Sequence, residues 1–352
     1  MKAFITKLSL MIIVCIGAML ASCDNDNTNI TNREGELFSV CTLNVDGLIA
    51  GNLEGPNALY TPVIGEWLTN GSFSFMGVQE DFEFDPELSA PLAEGFNRDT
   101  WGGGMQNEAK FIYETGEDNT PIVRFNTDGL NAFWKKDLIV ERTDSVRWTD
   151  NCGYFAHAWD ENVVKGFRRY DVTTPEGNQL VIYNMHMDAG DEEEELQGLD
   201  EADREARISQ WKQLRDYIMA HLDQRPVIIL GDLNTYYVRD DVKAQIIDVI
   251  NQSGYATITD AWIQQKRKGE YTPMGDTRIQ PDSPTSGWTV NGEAPDKILY
   301  INPIGATCKL ELVSVTFHNQ TYFREDGTTP LGDHYPLSAQ FRIKHSHNHI
   351  IY

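Results

Sequence analysis

Apolar runs of strand length recur along this chain at residues 37–45, 73–78, 180–185, 227–230, 297–301 and 337–343, and several are apolar on both faces. Runs of that kind belong to strands sandwiched between layers. Each also meets polar groups able to do chemistry. The first ends in Asn44-Val45-Asp46-Gly47, the second in Gln79-Glu80, the third in His186-Met187-Asp188 and the fourth in Gly231-Asp232-Leu233-Asn234. The fifth starts behind Asp296, and the sixth follows Gly332-Asp333-His334-Tyr335-Pro336.

Side chains alternate along a strand, so Asn44 with Asp46, and His186 with Asp188, are expected to share a face at a strand end. Glu80 at the end of a buried strand is costly unless a cation satisfies it. Singly, each group has a bland reading: Glu80 a helix cap, His186 a satisfied core histidine, Asp232 a turn former. Together, in this order, they describe one site along the rim of a sheet. There Asp333 would offer a hard oxygen ligand, His334 a proton-transfer group, and Asp232 with Asn234 a means of aligning an attacking water.

One helix is clear. Ile208, Trp211, Leu214, Ile218 and Leu222 recur at three- and four-residue steps with polar residues between. A second helix is expected over 63–69. The acidic run 191–195 reads as a solvated stretch ahead of the long helix, favoured by its dipole, or as a rim of the site. No internal repeat and no second linker interrupts the sequence, so one domain is expected over 37–343.

At 352 residues with 41% apolar content, the chain can build a core without disulfides. Its formal net charge is −24, and residues 1–22, which hold Lys2 and Lys7 and no acid, leave −26 when removed. Such a molecule repels polyanions, which counts against a tight DNA reader and less against a metal-assisted nuclease. Residues 1–22 read as a signal: a positive start, then an apolar stretch too short to span a bilayer comfortably. Leu20-Ala21-Ser22-Cys23 resembles a bacterial lipobox with Cys23 lipidated. The expectation is a lipoprotein at the outer membrane or cell surface, tethered through polar residues 23–36. Residues 344–352 read as a disordered His-containing tail. Cys41, Cys152 and Cys308 remain in the mature chain, an odd number that implies no disulfide framework.

The order and wording of these segments resemble the endonuclease/exonuclease/phosphatase superfamily over about residues 37–343. It includes pancreatic-type deoxyribonucleases, abasic-site endonucleases, inositol polyphosphate 5-phosphatases and bacterial sphingomyelinases. The resemblance is carried by Leu43-Asn44-Val45-Asp46-Gly47, Gln79-Glu80, Lys165-Gly166, Asn184-Met185-His186-Met187-Asp188, Gly231-Asp232-Leu233-Asn234, Asp296 and Asp333-His334. It implies an α/β fold, a four-layer α/β sandwich with two mixed β-sheets packed face to face and helices outside. It also implies Glu80 as principal Mg²⁺ ligand, with Asn44 and Asp333 supporting metal or phosphate. Asp232 would polarise the attacking water, Asn234 would hold phosphate oxygens, and His334, oriented by Asp296, would be general base or transition-state stabiliser. His186 would donate a hydrogen bond or proton from the other side. Oxygen-rich ligands without Cys favour Mg²⁺ or Mn²⁺.

The implied reaction is in-line water attack on a phosphate ester by a divalent-metal-dependent hydrolase. The wording of the His186 and His334 segments is similar to sphingomyelinase-like phosphodiesterases, and abasic endonucleases carry Tyr where this chain has His186. Trp101 and Trp288 could touch lipid, or pack within their loops. The alternatives are an extracellular nuclease, with nucleic acid only as substrate, then a sugar or inositol phosphatase, or a non-catalytic surface lipoprotein. A monomer is expected.

Overall fold

The computed structural model describes residues 35–47, 59–100, 111–115, 121–125, 127–152, 160, 163–190, 201–235, 242–271 and 295–345. All lie in one compact unit that begins at Gly35. The signal and lipidation expectations, the tether up to residue 34, the acidic run 191–195, Trp101 and Trp288 fall outside the described residues.

Each half of the chain contributes a central parallel pair of strands, and antiparallel strands extend both pairs into mixed six-stranded sheets. In the first sheet, β1 (Glu36–Asn44) lies parallel to β2 (Phe75–Gln79). It continues through β6 (Asn131–Lys135) to β3 (Phe96–Arg98) on one side, and through β14 (Leu337–His345) to β13 (Cys308–Phe317) on the other. In the second, β9 (Gln179–His186) lies parallel to β10 (Val227–Asp232). Strands β8 (Gly166–Thr173) and β7 (Ile139–Arg147) extend one edge; β12 (Asp296–Pro303) and β11 (Ala256–Asp260) extend the other. Strands β4 (Phe111–Thr115) and β5 (Pro121–Phe125) form a separate ribbon.

The sheets pack face to face through residues such as Val40 and Phe75 in one and Ile182, Ile228, Leu230 and Ile298 in the other, all buried. Their approach at Gly77 is close: a Cβ there would meet Leu230 Cδ1 at 2.3 Å and Asn184 Oδ1 at 2.9 Å. A polar bridge crosses the interface at the same level. Gln79 Nε2 donates to Asn184 Oδ1 at 2.7 Å, and Asn184 Nδ2 donates to the Val78 and Asn131 carbonyls at 3.1 and 2.8 Å. With its amide hydrogens bonded, Asn184 escapes the cost of an unmet buried group.

Helices cover the outer faces. Helix α1 (Thr61–Asn70) starts with a proline in its first turn, where no N–H is needed. It packs on α2 (Asp85–Ser89) and, through Trp67, on Phe73, His318 and Tyr322. Helix α3 (Glu201–Ala220) covers the second sheet, and Tyr217 sets its ring edge-on to Phe167 and Tyr183. The apolar stripe expected on α3 is present at Trp211, Leu214 and Ile218, but Leu222 lies past its end. Its first turns instead bury Asp203, Arg207 and Gln210, because that end of the helix faces the polar segment behind β9. Helices α4 (Asp248–Gln252) and α5 (Ala261–Lys266) flank β11, and Cys41, Cys152 and Cys308 are buried free thiols. No helix among the described residues is long and apolar enough to cross a membrane.

Candidate active site

Strand register brings the polar ends together. Asn44 pairs with Gln79 at the C-terminal ends of β1 and β2, and Asp232 pairs with His186 at the corresponding ends of β10 and β9. Strand β12 runs the other way, so its first residue, Asp296, is also opposite Asp232. Strand β14 is antiparallel to β1 with Leu337 opposite Thr42, which delivers the preceding Asp333-His334 to the same rim.

Asp232 is the hub. Its Oδ2 accepts from Asn44 Nδ2 at 3.0 Å and lies 3.5 Å from His186 Nε2 and 3.7 Å from His334 Nε2. Its Oδ1 accepts the Asn234 backbone N–H at 3.1 Å. Asn44 Nδ2 also donates to Glu80 Oε1 at 2.9 Å, while its Oδ1 accepts Asp46 N–H at 2.9 Å. That orientation makes every contact of the amide attractive, so Asn44 ties the two carboxylates together. His334 Nδ1 meets Asp296 Oδ2 at 2.6 Å, which aims Nε2 at Asp232.

Two expectations about strand faces do not hold. Strand β1 stops at Asn44, and Asp46 turns to φ +47° with its N–H bound back to the Asn44 side chain, so the two do not share a strand face. Strand β9 stops at His186. Asp188 lies beyond it, accepting Cys152 N–H at 2.8 Å and giving its own N–H to Gln210 Oε1 at 2.9 Å.

Glu80 at φ +56° and Asn234 at φ +43° also occupy the left-handed region. Asn tolerates it, but Glu is seldom found there, and such strain costs about 1–3 kcal/mol and persists only where surroundings enforce it. The enforcement at Glu80 is visible: Val45 N–H and Gly47 N–H bond the Gln79 and Glu80 carbonyls, each at 2.9 Å. A Cβ at Gly47 would lie 2.3 Å from the Glu80 carbonyl oxygen, so the close approach requires glycine.

The environments push the titratable groups apart. Burial, then the neighbouring Asp333, raises the Glu80 carboxyl to about 7. Burial and the Lys165 charge hold His186 well below the usual imidazole range, so it is neutral at pH 7. Burial acts on His334 in the same sense, yet Asp296, Asp232 and Asp333 together raise it well above that range. For Asp232, His334, His186 and Asn44 outweigh burial and keep the carboxylate ionised. Asp296 is pushed up to about 6 by burial in spite of His334. One neutral and one cationic imidazole on a single carboxylate is an acid–base arrangement.

The donor set fits a hard divalent cation. Half-buried Glu80 is raised by burial and then by the Asp333 charge, and Lys165 and His334 offset that only in part. Glu80, Asp333 and the Asn44 amide are oxygen donors without a thiol, the chemistry Mg²⁺ or Mn²⁺ takes. Asp232, Asp296 and His334 also offer atoms within 4.8 Å of one another.

Further buried residues support the site from behind. Buried Lys165 pairs with buried Asp160 and donates to the Met187 carbonyl at 3.2 Å. Asn234 Nδ2 donates to that same carbonyl at 3.1 Å. Asn131 Nδ2 bridges Asp81 Oδ2 at 2.8 Å and Asp85 Oδ1 at 3.0 Å just behind Glu80. Lys165 was legible only as part of a Lys-Gly pair; Asp160 had no signal at all.

No model of a known protein family matches the chain. Solved structures share its fold: an endonuclease/exonuclease/phosphatase from Bacteroides vulgatus superposes with a TM-score of 0.54 at 16% identity, over 88% of this chain and 100% of that one. Beta toxin from Staphylococcus aureus gives a TM-score of 0.52 at 14% identity, over 86% and 99% of the two chains. The human Nocturnin catalytic domain gives 0.53 at 15% identity, over 88% and 95%. Two mixed sheets packed face to face are the fold that the chain shares with these endonuclease/exonuclease/phosphatase-type structures. In sequence, the chain is similar to sphingomyelinases of Mycobacterium bovis and Mycobacterium tuberculosis, 27% identical over 325 residues and 90% of its length. It spans about half the length, 54%, of those curated relatives.

Proposed function

We propose that the protein is a divalent-metal-dependent phosphodiesterase that hydrolyses the phosphate ester of a sphingomyelin-class lipid. The observation that carries this reading is the pair of imidazoles, His186 and His334, set 3.5 and 3.7 Å from one carboxylate oxygen of Asp232, with Glu80 held beside them by Asn44. That is machinery for moving a proton at a phosphate, and similarity to sphingomyelinases supports the lipid as substrate.

Glu80, with Asp333 and Asn44, would hold Mg²⁺ or Mn²⁺, which when bound neutralises phosphate charge and polarises the P–O bonds. Asp232, ionised between its donors, aligns the attacking water and accepts its proton. His186 is neutral, with Nε2 toward Asp232 and Nδ1 buried without a hydrogen-bond partner, so its proton sits on Nε2 and fixes the carboxylate. His334, cationic and held by Asp296, stabilises the charge that builds on the phosphoryl oxygens, and Asn234 holds one of them. A net charge of −24 supports a substrate that is not a long polyanion.

The lipobox-like segment ending at Cys23 supports anchoring at the outer membrane or cell surface, with residues 23–36 as tether and 37–343 as catalytic domain. The test is hydrolysis by the full chain of sphingomyelin vesicles and linear DNA in parallel. Phosphocholine release that EDTA abolishes supports the reading; cleavage of DNA with intact lipid replaces it with a nuclease.

A further inference from the structure

We infer that Asn131, the first residue of β6, is a positioning residue for Glu80: it fastens the residue after Glu80 to the sheet and so directs the Glu80 carboxylate. That Glu80 serves a metal rests on the phosphodiesterase reading above. Asn131 is buried opposite Val78 of β2, and its amide is fully engaged. Nδ2 donates to Asp81 Oδ2 at 2.8 Å and to Asp85 Oδ1 at 3.0 Å, and Oδ1 accepts Ala132 N–H at 2.8 Å. A nitrogen with two hydrogens and no charge lets two buried carboxylates share one donor. The Asn131 backbone carbonyl accepts Asn184 Nδ2 at 2.8 Å, and Asn184 Oδ1 accepts Gln79 Nε2 at 2.7 Å.

The residues on either side of Glu80 are therefore fixed to one polar row. Gln79 is tied to Asn184, Asn184 to Asn131, and Asn131 to Asp81. Asp81 N–H adds a bond to the Gly129 carbonyl at 2.8 Å, and Arg98 Nη1 anchors Asp85 at 2.9 Å from both its oxygens. Between these anchors Glu80 sits at φ +56°, a conformation that persists only while its neighbours are held. Its carboxylate meets Asn44 Nδ2 at 2.9 Å, so the Asn44 amide reports where that carboxylate lies. Without Asn131, Asp81 and Asp85 lose the donor they share, and the like charges press apart. The Asp81 backbone then shifts, and Glu80 turns with it. Asn131 acts on the metal ligand through Asp81, not on the substrate.

The experiment measures Mg²⁺ binding by calorimetry on the full chain, for native protein and Asn131→Ala. NMR of the Asn44 side-chain amide in EDTA, assigned by its loss in Asn44→Ala, accompanies it. Asn131→Ala is expected to weaken Mg²⁺ binding about tenfold to a hundredfold, as loss of a group behind a metal ligand does, and to move the Asn44 resonance. Phosphocholine release then needs more Mg²⁺ in the same proportion, while kcat at saturating Mg²⁺ stays within about threefold. Ile301→Val, at a buried position in β12, lowers Tm and leaves both readouts where they are. Asn131→Ser, which keeps one donor, shows the same changes at smaller size and carries the test should Asn131→Ala not fold. An unchanged Mg²⁺ affinity or an unmoved Asn44 amide, whatever happens to Tm, overturns the inference. A native protein that cleaves no phosphate ester sinks the phosphodiesterase reading instead, and the Asn44 resonance still decides the positioning.

Discussion

His334 Nδ1 and Asp296 Oδ2 lie 2.6 Å apart across a sequence separation of 38 residues, and that one contact turns the far nitrogen of the ring toward Asp232. Asp296 does two things here: it selects the ring orientation and helps keep the imidazole charged. Asp296→Asn is expected to keep the fold while lowering kcat by about two to four orders of magnitude, as the loss of an orienting carboxylate does elsewhere. Because Asp296 raises the His334 pKa, its removal moves the alkaline limb of the pH–kcat/KM profile to lower pH. A profile that does not move shows that His334 carries no charge in the step.

Glu80 makes stability depend on pH in a definite direction. Its folded value of about 7 stands above the ordinary 4.5, so the folded state holds the proton more tightly. That contribution is fully present below about pH 4.5 and is lost as pH rises through 7, on the order of 3 kcal/mol in the metal-free protein. Thermal melting of native protein and Glu80→Gln across pH 4.5–8, both in EDTA, isolates the term as the difference between the two curves. Mg²⁺ requires the ionised form, so calorimetry in buffers of differing ionisation enthalpy is expected to show proton release below pH 7.

Asn44 is a bridge between carboxylates, and Asn44→Asp tests that with almost no change in shape. The substitution replaces two donated hydrogen bonds, at 2.9 Å to Glu80 and 3.0 Å to Asp232, by like-charge contacts. A fall in kcat/KM of at least about a hundredfold is expected, from loss of two charge-assisted bonds. Wild-type kinetics in this variant would remove Asn44 from the site.

Gly77→Ala probes the sheet interface instead of the chemistry. Its Cβ would sit 2.3 Å from Leu230 Cδ1 and 2.9 Å from Asn184, where the Gln79–Asn184 bridge crosses. Overpacking of this kind costs about 1–3 kcal/mol, or several degrees in Tm. Calorimetric melting checks it.

What the sequence disclosed follows from which interactions are local. The double-faced apolar strands β1, β2, β9, β10, β12 and β14 were legible because burial on both sides leaves a continuous run. Edge strand β7 was not, since its residues are mostly exposed or half-buried and charged. The polar rim could be read because each member closes or opens such a run. The turns that end the strands could not: Asp46 and Glu80 adopt positive φ because Gly47 and the Glu80 carbonyl meet across the loop. Nor could Asp160 be found, since its partners Lys165 and Ala189 meet it only in three dimensions.

The most direct test of the catalytic reading is phosphocholine release from sphingomyelin vesicles by native protein and by Glu80→Gln, each titrated with Mg²⁺. Native protein is expected to turn over in proportion to Mg²⁺ occupancy, and Glu80→Gln to lose at least about a hundredfold in kcat at saturating metal. Equal rates for the two proteins, or release that persists in excess EDTA, would contradict a metal-assisted phosphodiesterase centred on Glu80.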